Sequence, residues 1–120
     1  MSASIAHGWT GPVDTAGARL VYAAAKSGIL GLAAQLAKDV GAFDITVNAV
    51  LPWLTFGDQG SRICSKFEAL DKKMRDRILS EAPLGRAAEA DEVAAAIALL
   101  ASEDASYISV KDLPVDGAYR

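Results

Sequence analysis

The sequence predicts an α/β fold in which helices pack on a parallel sheet. Three observations support this: a long alanine-rich segment with helical spacing at 20–40, a run of β-branched and apolar residues at 45–51, and a second helix-then-strand alternation over 91–115. Parallel neighbours need a long crossover, which is usually a helix. The length of 120 residues fits one domain, spanning residues 1–120.

The predicted first helix covers residues 20–40. Ile29, Ala33, Leu36 and Val40 repeat at helical spacing, and Gly41 is the expected residue at its end. Tyr22 and Lys26 continue the same stripe, so both side chains emerge on one face, one turn apart. An aromatic ring that packs against an aliphatic stem is the simplest interpretation of such a pair.

The same pair also suits acid–base chemistry. A free phenol titrates near pH ~10 and exchanges protons poorly at neutrality. A neighbouring ammonium favours the phenolate and brings such exchange closer to neutral pH. Tyr22 and Lys26 are therefore candidates for catalysis as well as for packing.

The segment 45–51, ITVNAVL, predicts a buried strand that ends at Pro52. The loop that follows lies at the carboxyl end of this strand, where open α/β sheets bind their ligands. Beyond it, the pattern predicts an amphipathic helix within 62–80 and a helix over 91–101 capped by Asp91. A last strand is expected at 111–115, parallel to the strand at 45–51 and beside it.

Composition excludes several classes of function. With 12 basic and 15 acidic residues, the net charge of -3 argues against a nucleic-acid partner. Cys64 is the only cysteine and predicts a packing residue, with no disulfide or thiolate metal site. His7 is the only histidine and lies in a glycine-rich loop, so no metal site is expected. We see no membrane-spanning segment in the sequence and expect a cytoplasmic protein.

Several short motifs occur in order along the chain: SASI, YAAAK, ITVNAVLP, APLGR, DEVAAAIALLAS and a closing VDG. YxxxK alone is a weak signal, but the ordered set resembles the carboxyl-terminal half of the short-chain dehydrogenase/reductase family. The resemblance implies a Rossmann-like doubly wound parallel sheet, here an incomplete three-layer αβα arrangement. It also implies hydride transfer between NAD or NADP and a small carbonyl or alcohol substrate, in a homo-oligomer when complete.

The resemblance assigns roles to individual residues. Tyr22 matches the catalytic acid/base, and Lys26 matches the residue that assists it and hydrogen-bonds the nicotinamide ribose. Ser4 is the candidate for the serine that polarises the carbonyl, with Ser2 as the second choice. The loop that contacts the nicotinamide carboxamide matches Pro52, Trp53 and Thr55, which we list with Tyr22 and Lys26 as cofactor-binding residues.

The sequence departs from the family pattern in three places. Ser4 and Tyr22 are separated by a longer loop than usual, and Trp53 stands where the family has glycine. None of the ten glycines forms the G-x-G-x-x-G turn that receives a pyrophosphate. We therefore expect weak or no cofactor binding by this chain alone. An alternative is a non-catalytic αβ module that associates with a full-length family member.

Overall fold

The computed structural model describes residues 16–57 and 61–119. Helices and short strands alternate along this part of the chain. The helices are α1 (Ala16–Val40), α2 (Arg62–Glu68), α3 (Lys72–Ser80) and α4 (Ala90–Leu100), and the strands are β1 (Ala49–Pro52), β2 (Thr55–Phe56), β3 (Ala88–Glu89) and β4 (Asp112–Val115).

The main sheet joins β1 to β4. The two strands are parallel, with register partners from Ala49↔Asp112 to Pro52↔Val115. This confirms the prediction that the last strand lies parallel to and beside the strand before the loop. A second parallel pair joins β2 to β3, through Thr55↔Ala88 and Phe56↔Glu89. Strands of two residues are too short to show an alternation of apolar and polar residues, and β2 and β3 were not predicted.

Helices cover both faces of the main sheet. On one face, Ile29 and Leu30 of α1 pack against the buried side chains of Ala49 and Leu51. On the other face, Val50 and Ile97 line a common cleft between β1 and α4. The result is a three-layer αβα arrangement and an incomplete Rossmann-like α/β fold.

The regular part of β1 is shorter than predicted at its beginning. Asn48 is buried, and its side-chain amide makes two hydrogen bonds to the segment before β4. Nδ2 donates to the carbonyl of Ile108 (2.8 Å), and Oδ1 accepts from the N–H of Lys111 (3.1 Å). We call this pair of bonds the Asn48 bracket. The N–H of Val47 donates to Ser109 Oγ (3.2 Å). Before Ala49, these side-chain bonds accompany a backbone bond from the N–H of Val110 to the carbonyl of Val47 (2.8 Å), so the regular ladder begins only at Ala49. Pro52 is included as the last residue of the strand.

Two predicted helices are bounded differently in the structure, for identifiable reasons. The segment 62–80 forms two helices, because the Asp71 side chain accepts from Met74 N–H and caps a new helix. At α4, the cap is Glu89 in a reciprocal capping box with Glu92, so Asp91 lies within the first turn.

Helix α1 begins at Ala16, before the predicted start at Leu20, and ends at Val40 as predicted. A 3₁₀ turn follows it, and Asp44 rather than Gly41 takes the left-handed conformation (φ 61°).

Helix α1 also corrects the prediction about membrane spans. The stretch Leu20–Phe43 has a mean hydropathy of 1.4 and is long and apolar enough to cross a membrane by length and composition. Alanine and glycine between larger apolar residues produce this average. A long helix that packs on a sheet passes the same test, so this is weak evidence for a membrane segment.

Candidate functional site

The carboxyl ends of β1 and β4 form the edge that carries the predicted loop residues Pro52, Trp53 and Thr55. Beyond the last paired residues, the N–H of Trp53 donates to the carbonyl of Val115 (3.2 Å) and extends the ladder by one bond. The chain then enters β2, where the carbonyl of Leu54 accepts from the N–H of Ala88 (2.9 Å). The loop after β1 is thus tied to β4 on one side and to β3 on the other.

Helix α1 runs antiparallel to β1. Ile29 and Leu30 pack near Leu51 at the carboxyl end of the strand, whereas Ala33 and Ala37 pack on Val47 before its start. Each helical turn advances about 5.4 Å along the axis. The helix positions of Lys26 and Tyr22, one and two turns before Leu30, therefore lie on the side of the carboxyl edge.

Tyr22 and Lys26 are in contact. The Nζ of Lys26 lies over the Tyr22 ring, 5.6 Å from its centroid, within the range of a cation–π interaction. The Tyr22 side chain is 46% exposed and Lys26 is half-buried. The structure brings the pair together, and both the packing and the catalytic interpretations predict such a contact.

The three predicted loop residues are all half-buried at this edge: Pro52, Trp53 and Thr55. The Thr55 hydroxyl donates to the carbonyl of Trp53 (3.1 Å), which fixes the backbone between β1 and β2. Thr55 also belongs to the β2–β3 pair. Two of these loop residues are therefore held in place by bonds that need no ligand.

An aromatic pair that the sequence analysis missed lies at the same edge. The rings of Trp53 and Tyr119 stack with centroids 4.9 Å apart and planes inclined by 17°. Burial is the main reason that the pKa of Tyr119 is raised. Trp53 is thus a fixed wall of the site.

A tight turn brings Tyr119 back to Trp53. Gly117 (φ 61°) and Ala118 (φ 68°) both have positive φ, the pattern of a type I′ turn. The turn is closed by the Tyr119 N–H, which donates to the carbonyl of Asp116 (3.1 Å). The Asp-Gly dipeptide indicates a turn here. The sequence does not indicate which aromatic ring Tyr119 stacks on.

An ion pair fixes the loop before α4. The Arg86 guanidinium donates to both carboxylate oxygens of Glu92 (2.8 and 2.7 Å), and Glu92 also accepts from the N–H of Glu89 (2.9 Å). These bonds, that from Arg86 first, lower the pKa of Glu92 to about 2. The loop at 84–88 is therefore joined to the first turn of α4.

Two clefts open among the residues that the structure describes in detail. The larger, about 400 Å³, lies between β1 and α4 near the amino end of the strand. The smaller, about 300 Å³, lies at the carboxyl edge, between Trp53 and the loop that contains Leu84 and Arg86. The smaller cleft is the one that adjoins the predicted site.

Four further residues were considered in the sequence analysis: Ser2, Ser4, His7 and Cys64. Ser4, Ser2 and His7 fall outside the described residues, so the serine assignment remains a prediction. Cys64 is buried, as expected of a packing residue. Within 16–57 and 61–119, no group of three or more histidine, cysteine, aspartate or glutamate side chains could hold a metal ion.

Comparison with known proteins places the chain in a family. The family described as Enoyl-(Acyl carrier protein) reductase matches residues 4–120. Among similar curated proteins is the 3-oxoacyl-[acyl-carrier-protein] reductase FabG of Haemophilus influenzae, 43% identical over 96 residues, which are 80% of this chain and 37% of the relative. FabG of Escherichia coli is 40% identical over 101 residues, 84% of this chain and 38% of the relative.

A third relative, 3-oxoacyl-[acyl-carrier-protein] reductase MabA of Mycobacterium bovis, is 38% identical over 96 residues, 80% of this chain and 36% of that protein. The chain spans little more than a third of the length of these relatives. All three relatives are named as reductases, and the region that matches the family includes both α1 and the carboxyl edge. Together with the ordered motifs and the parallel β1–β4 pair between two helices, the match shows that this chain belongs to the short-chain dehydrogenase/reductase family.

Proposed function

We propose that this chain carries the catalytic residues of an NAD(P)-dependent oxidoreductase that interconverts a carbonyl and an alcohol. The observation that supports this most directly is the Tyr22–Lys26 contact on α1, the helix that runs along β1 toward its carboxyl end. The named relatives are 3-oxoacyl-[acyl-carrier-protein] reductases. A 3-oxoacyl thioester is therefore the first substrate class to test.

In the proposed reaction, a bound nicotinamide cofactor supplies hydride to the carbonyl carbon. The Tyr22 hydroxyl donates its proton to the carbonyl oxygen, so the product is an alcohol and the phenol becomes a phenolate. The Lys26 ammonium stabilises that phenolate through its charge. Ser4 is assigned the hydrogen bond that polarises the carbonyl before proton transfer. In the oxidative direction, each of these proton movements is reversed.

The residues present fit the nicotinamide end of such a cofactor. Lys26 offers an ammonium for a ribose hydroxyl, and the loop of Pro52, Trp53 and Thr55 is half-buried and tied by hydrogen bonds within the protein. The 120 residues contain no glycine-rich phosphate turn. We propose that residues 1–120 form one partial domain and that the pyrophosphate is held by groups outside these residues.

A chimera tests the proposal. Residues 1–120 replace the matching region of the E. coli relative, and oxidation of NADPH is followed with a 3-oxoacyl thioester. We expect turnover that Tyr22→Phe abolishes without loss of fold, because only one hydroxyl is removed. Lys26→Ala should lower both kcat and cofactor affinity. A folded chimera whose Tyr22→Phe form keeps full turnover would reduce the pair to a packing contact.

The 120-residue chain alone should bind NADPH or NADH weakly and show no turnover. Lys26 and the loop could supply a few hydrogen bonds, each worth about 1 kcal/mol net. Association costs roughly 4 kcal/mol or more in lost translational and rotational freedom, which leaves at best a millimolar complex. Fluorescence titration measures this. Micromolar binding would mean that these residues include a phosphate site of another kind.

Association with another copy or another family member is the second candidate function. It is favoured by the apolar side chains that α1 leaves exposed, among them Leu20 (73%), Val21 (72%) and Leu32 (58%). Size-exclusion chromatography over a range of concentrations tests it, and a monomer at every concentration would contradict it. We propose a cytoplasmic location, since α1 also carries four charged residues: Arg19, Lys26, Lys38 and Asp39.

A further inference from the structure

The smaller cleft, at the carboxyl edge, has two fixed walls. One is the Trp53 indole, held by its stack on Tyr119. The other is the loop around Leu84, whose N–H donates to the carbonyl of Gly117 (3.3 Å). A Cβ on Gly117 would meet the Cβ of Leu84 at 3.4 Å, so the turn and the loop approach closely. The cleft is thus formed before any ligand binds, which reduces the ordering cost of binding.

The surface inside this cleft is mainly apolar. Leu54, Pro114 and Val115 line it together with the indole, and Leu84 is 68% exposed at its mouth. Its volume of about 300 Å³ is at the small end of the range for ligand pockets. A short chain of carbon atoms suits this size and lining better than a drug-sized molecule.

The cation that lines the cleft, Arg86, is already engaged and is not free to pair with an anion. Two carboxylates, Glu92 and Asp116, line it with one guanidinium, Arg86. Arg86 already donates to both oxygens of Glu92. A ligand that carries a carboxylate would add a further negative charge to this surface, whereas an uncharged chain would not.

The larger cleft does not offer the same conditions. Polar side chains, including Asp44 and Glu103, line much of it, and it lies toward the amino end of β1. Ligands of open α/β sheets bind at the carboxyl ends of the strands. The smaller cleft is therefore the better candidate.

We propose that the cleft between Trp53 and Leu84 binds a short uncharged alkyl chain, which would be the apolar part of the substrate. The identification of this chain as part of the substrate rests on the proposed oxidoreductase function, but the binding itself does not. Trp53 and Tyr119 then act together: Tyr119 positions the indole, and the indole sets how much chain the cleft accepts. Neither residue takes part in proton transfer.

The test uses the full chain with Trp9→Phe, so that Trp53 is the only tryptophan. Its emission is titrated with hexan-1-ol and, separately, with hexanoate, which has the same number of carbons and a negative charge. We expect saturable binding of the alcohol in the millimolar range, as befits a ligand of few atoms. Hexanoate should bind roughly tenfold more weakly, since its charge must leave water for a mainly apolar lining whose guanidinium is already paired with Glu92.

A matched pair of variants locates the binding. Leu84→Glu puts a charge at the cleft mouth and should weaken hexan-1-ol binding by roughly tenfold. Leu99→Glu changes a leucine of α4 that is also exposed (51%) but lies outside the cleft lining, and it should bind like the parent. Circular dichroism checks that each variant is folded.

Three results would overturn the proposal: no saturable change in Trp53 emission, equal affinity for the alcohol and the carboxylate, or equal losses in the two glutamate variants. The first two use the unaltered cleft, so they hold even if Leu84→Glu does not fold. Adding Tyr22→Phe should leave alkyl binding unchanged. Failure of the catalytic proposal is thus distinguishable from failure of this one.

Discussion

The carboxyl-terminal segment and helix α1 both reach the edge where the site lies, but different contacts hold them. The carboxyl-terminal segment is bound by directional contacts over long sequence distances: the Asn48 bracket, the parallel β1–β4 ladder and the Trp53–Tyr119 stack. Helix α1 is held on the sheet by apolar contacts, from two buried alanines and four half-buried larger side chains: Ala33, Ala37, Ile29, Leu30, Leu36 and Val40.

The two kinds of contact hold two different parts of the proposed site: the wall that includes Trp53, and the helix that carries Tyr22 and Lys26. Hydrogen bonds and stacked rings specify one geometry, so the wall that includes Trp53 is fixed with respect to β4. Apolar contacts are not directional, and those of α1 come largely from side chains that are only half-buried. The helix that carries Tyr22 and Lys26 is therefore the more easily displaced of the two parts, and the following variants test the contrast in order of expected effect.

Removing the bracket should have the largest effect. Asn48→Ala leaves the carbonyl of Ile108 and the N–H of Lys111 without their side-chain partner and should lower the free energy of unfolding by about 2 to 4 kcal/mol. Urea denaturation measures the change. Gln35→Ala is the control: it removes an exposed bond to Asp39 on α1 and should cost under about 0.5 kcal/mol. Similar losses in both variants would contradict the contrast.

Crowding the helix–sheet contact should have a smaller effect. Ala33 is 3% exposed and faces Val47, so Ala33→Leu must displace the helix or strain its neighbours, at a cost of about 1 to 3 kcal/mol. Ala24→Leu, at an exposed position of the same helix, should change stability by less than about 0.5 kcal/mol. If Ala33→Leu costs as much as Asn48→Ala, α1 is held as firmly as the carboxyl-terminal segment.

One position in the carboxyl-terminal segment should gain stability. Val110 has φ 58°, a conformation that a β-branched residue adopts at a cost of about 1 to 2 kcal/mol. Val110→Gly relieves this strain and keeps the bond from its N–H to the carbonyl of Val47 (2.8 Å). Allowing for the greater freedom of glycine when unfolded, we expect a gain of up to about 1 kcal/mol.

Thermal denaturation of Val110→Gly checks this gain. Val21→Gly, at an exposed and regular helical position of α1, should instead lose roughly 0.5 kcal/mol. A loss of stability in both variants would show that residue 110 is not strained.

The smallest effect concerns pH. The pKa of Glu92 is about 2 in the folded chain against an ordinary value of 4.5, because Arg86 and the Glu89 N–H favour its charged form. Folding thus favours the ionised group, so its contribution is complete above pH 4.5 and disappears as the pH falls toward about 2. The difference in Tm between the parent and Glu92→Gln should be constant at neutral pH and shrink over that interval. A difference that grows in acid would contradict this assignment.

Sequence alone predicted the features that have local causes. The spacing of Ile29, Ala33 and Leu36 predicted α1, and the β-branched run at 45–51 predicted the region of β1. Both predictions were possible because the pattern of apolar residues along a short segment depends on its secondary structure. The break at Asp71 was missed because an aspartate within a helical charge pattern serves equally as a solvent-facing residue or as a new cap.

The features that were missed entirely depend on tertiary placement. Asn48 reads as an ordinary strand residue, yet its partners lie 60 and 63 positions away. Trp53 was noted as a departure from the family, but its stack on Tyr119 follows from the turn at Asp116 and from the parallel register of β4. No local pattern specifies either contact.

The parallel pairing of β1 with β4 also has a consequence for synthesis of the chain. Ala49 pairs with Asp112, so 112 − 49 = 63 residues must be added before the ladder can form. At translation rates of about 5–20 residues per second, β1 waits roughly 3 to 13 seconds for its partner. During that interval the apolar run at 49–51 has no β4 to pair with, and closing so large a loop slows the search. The ribosome-bound nascent chain is therefore the stage at which we expect this sequence to depend most on a chaperone.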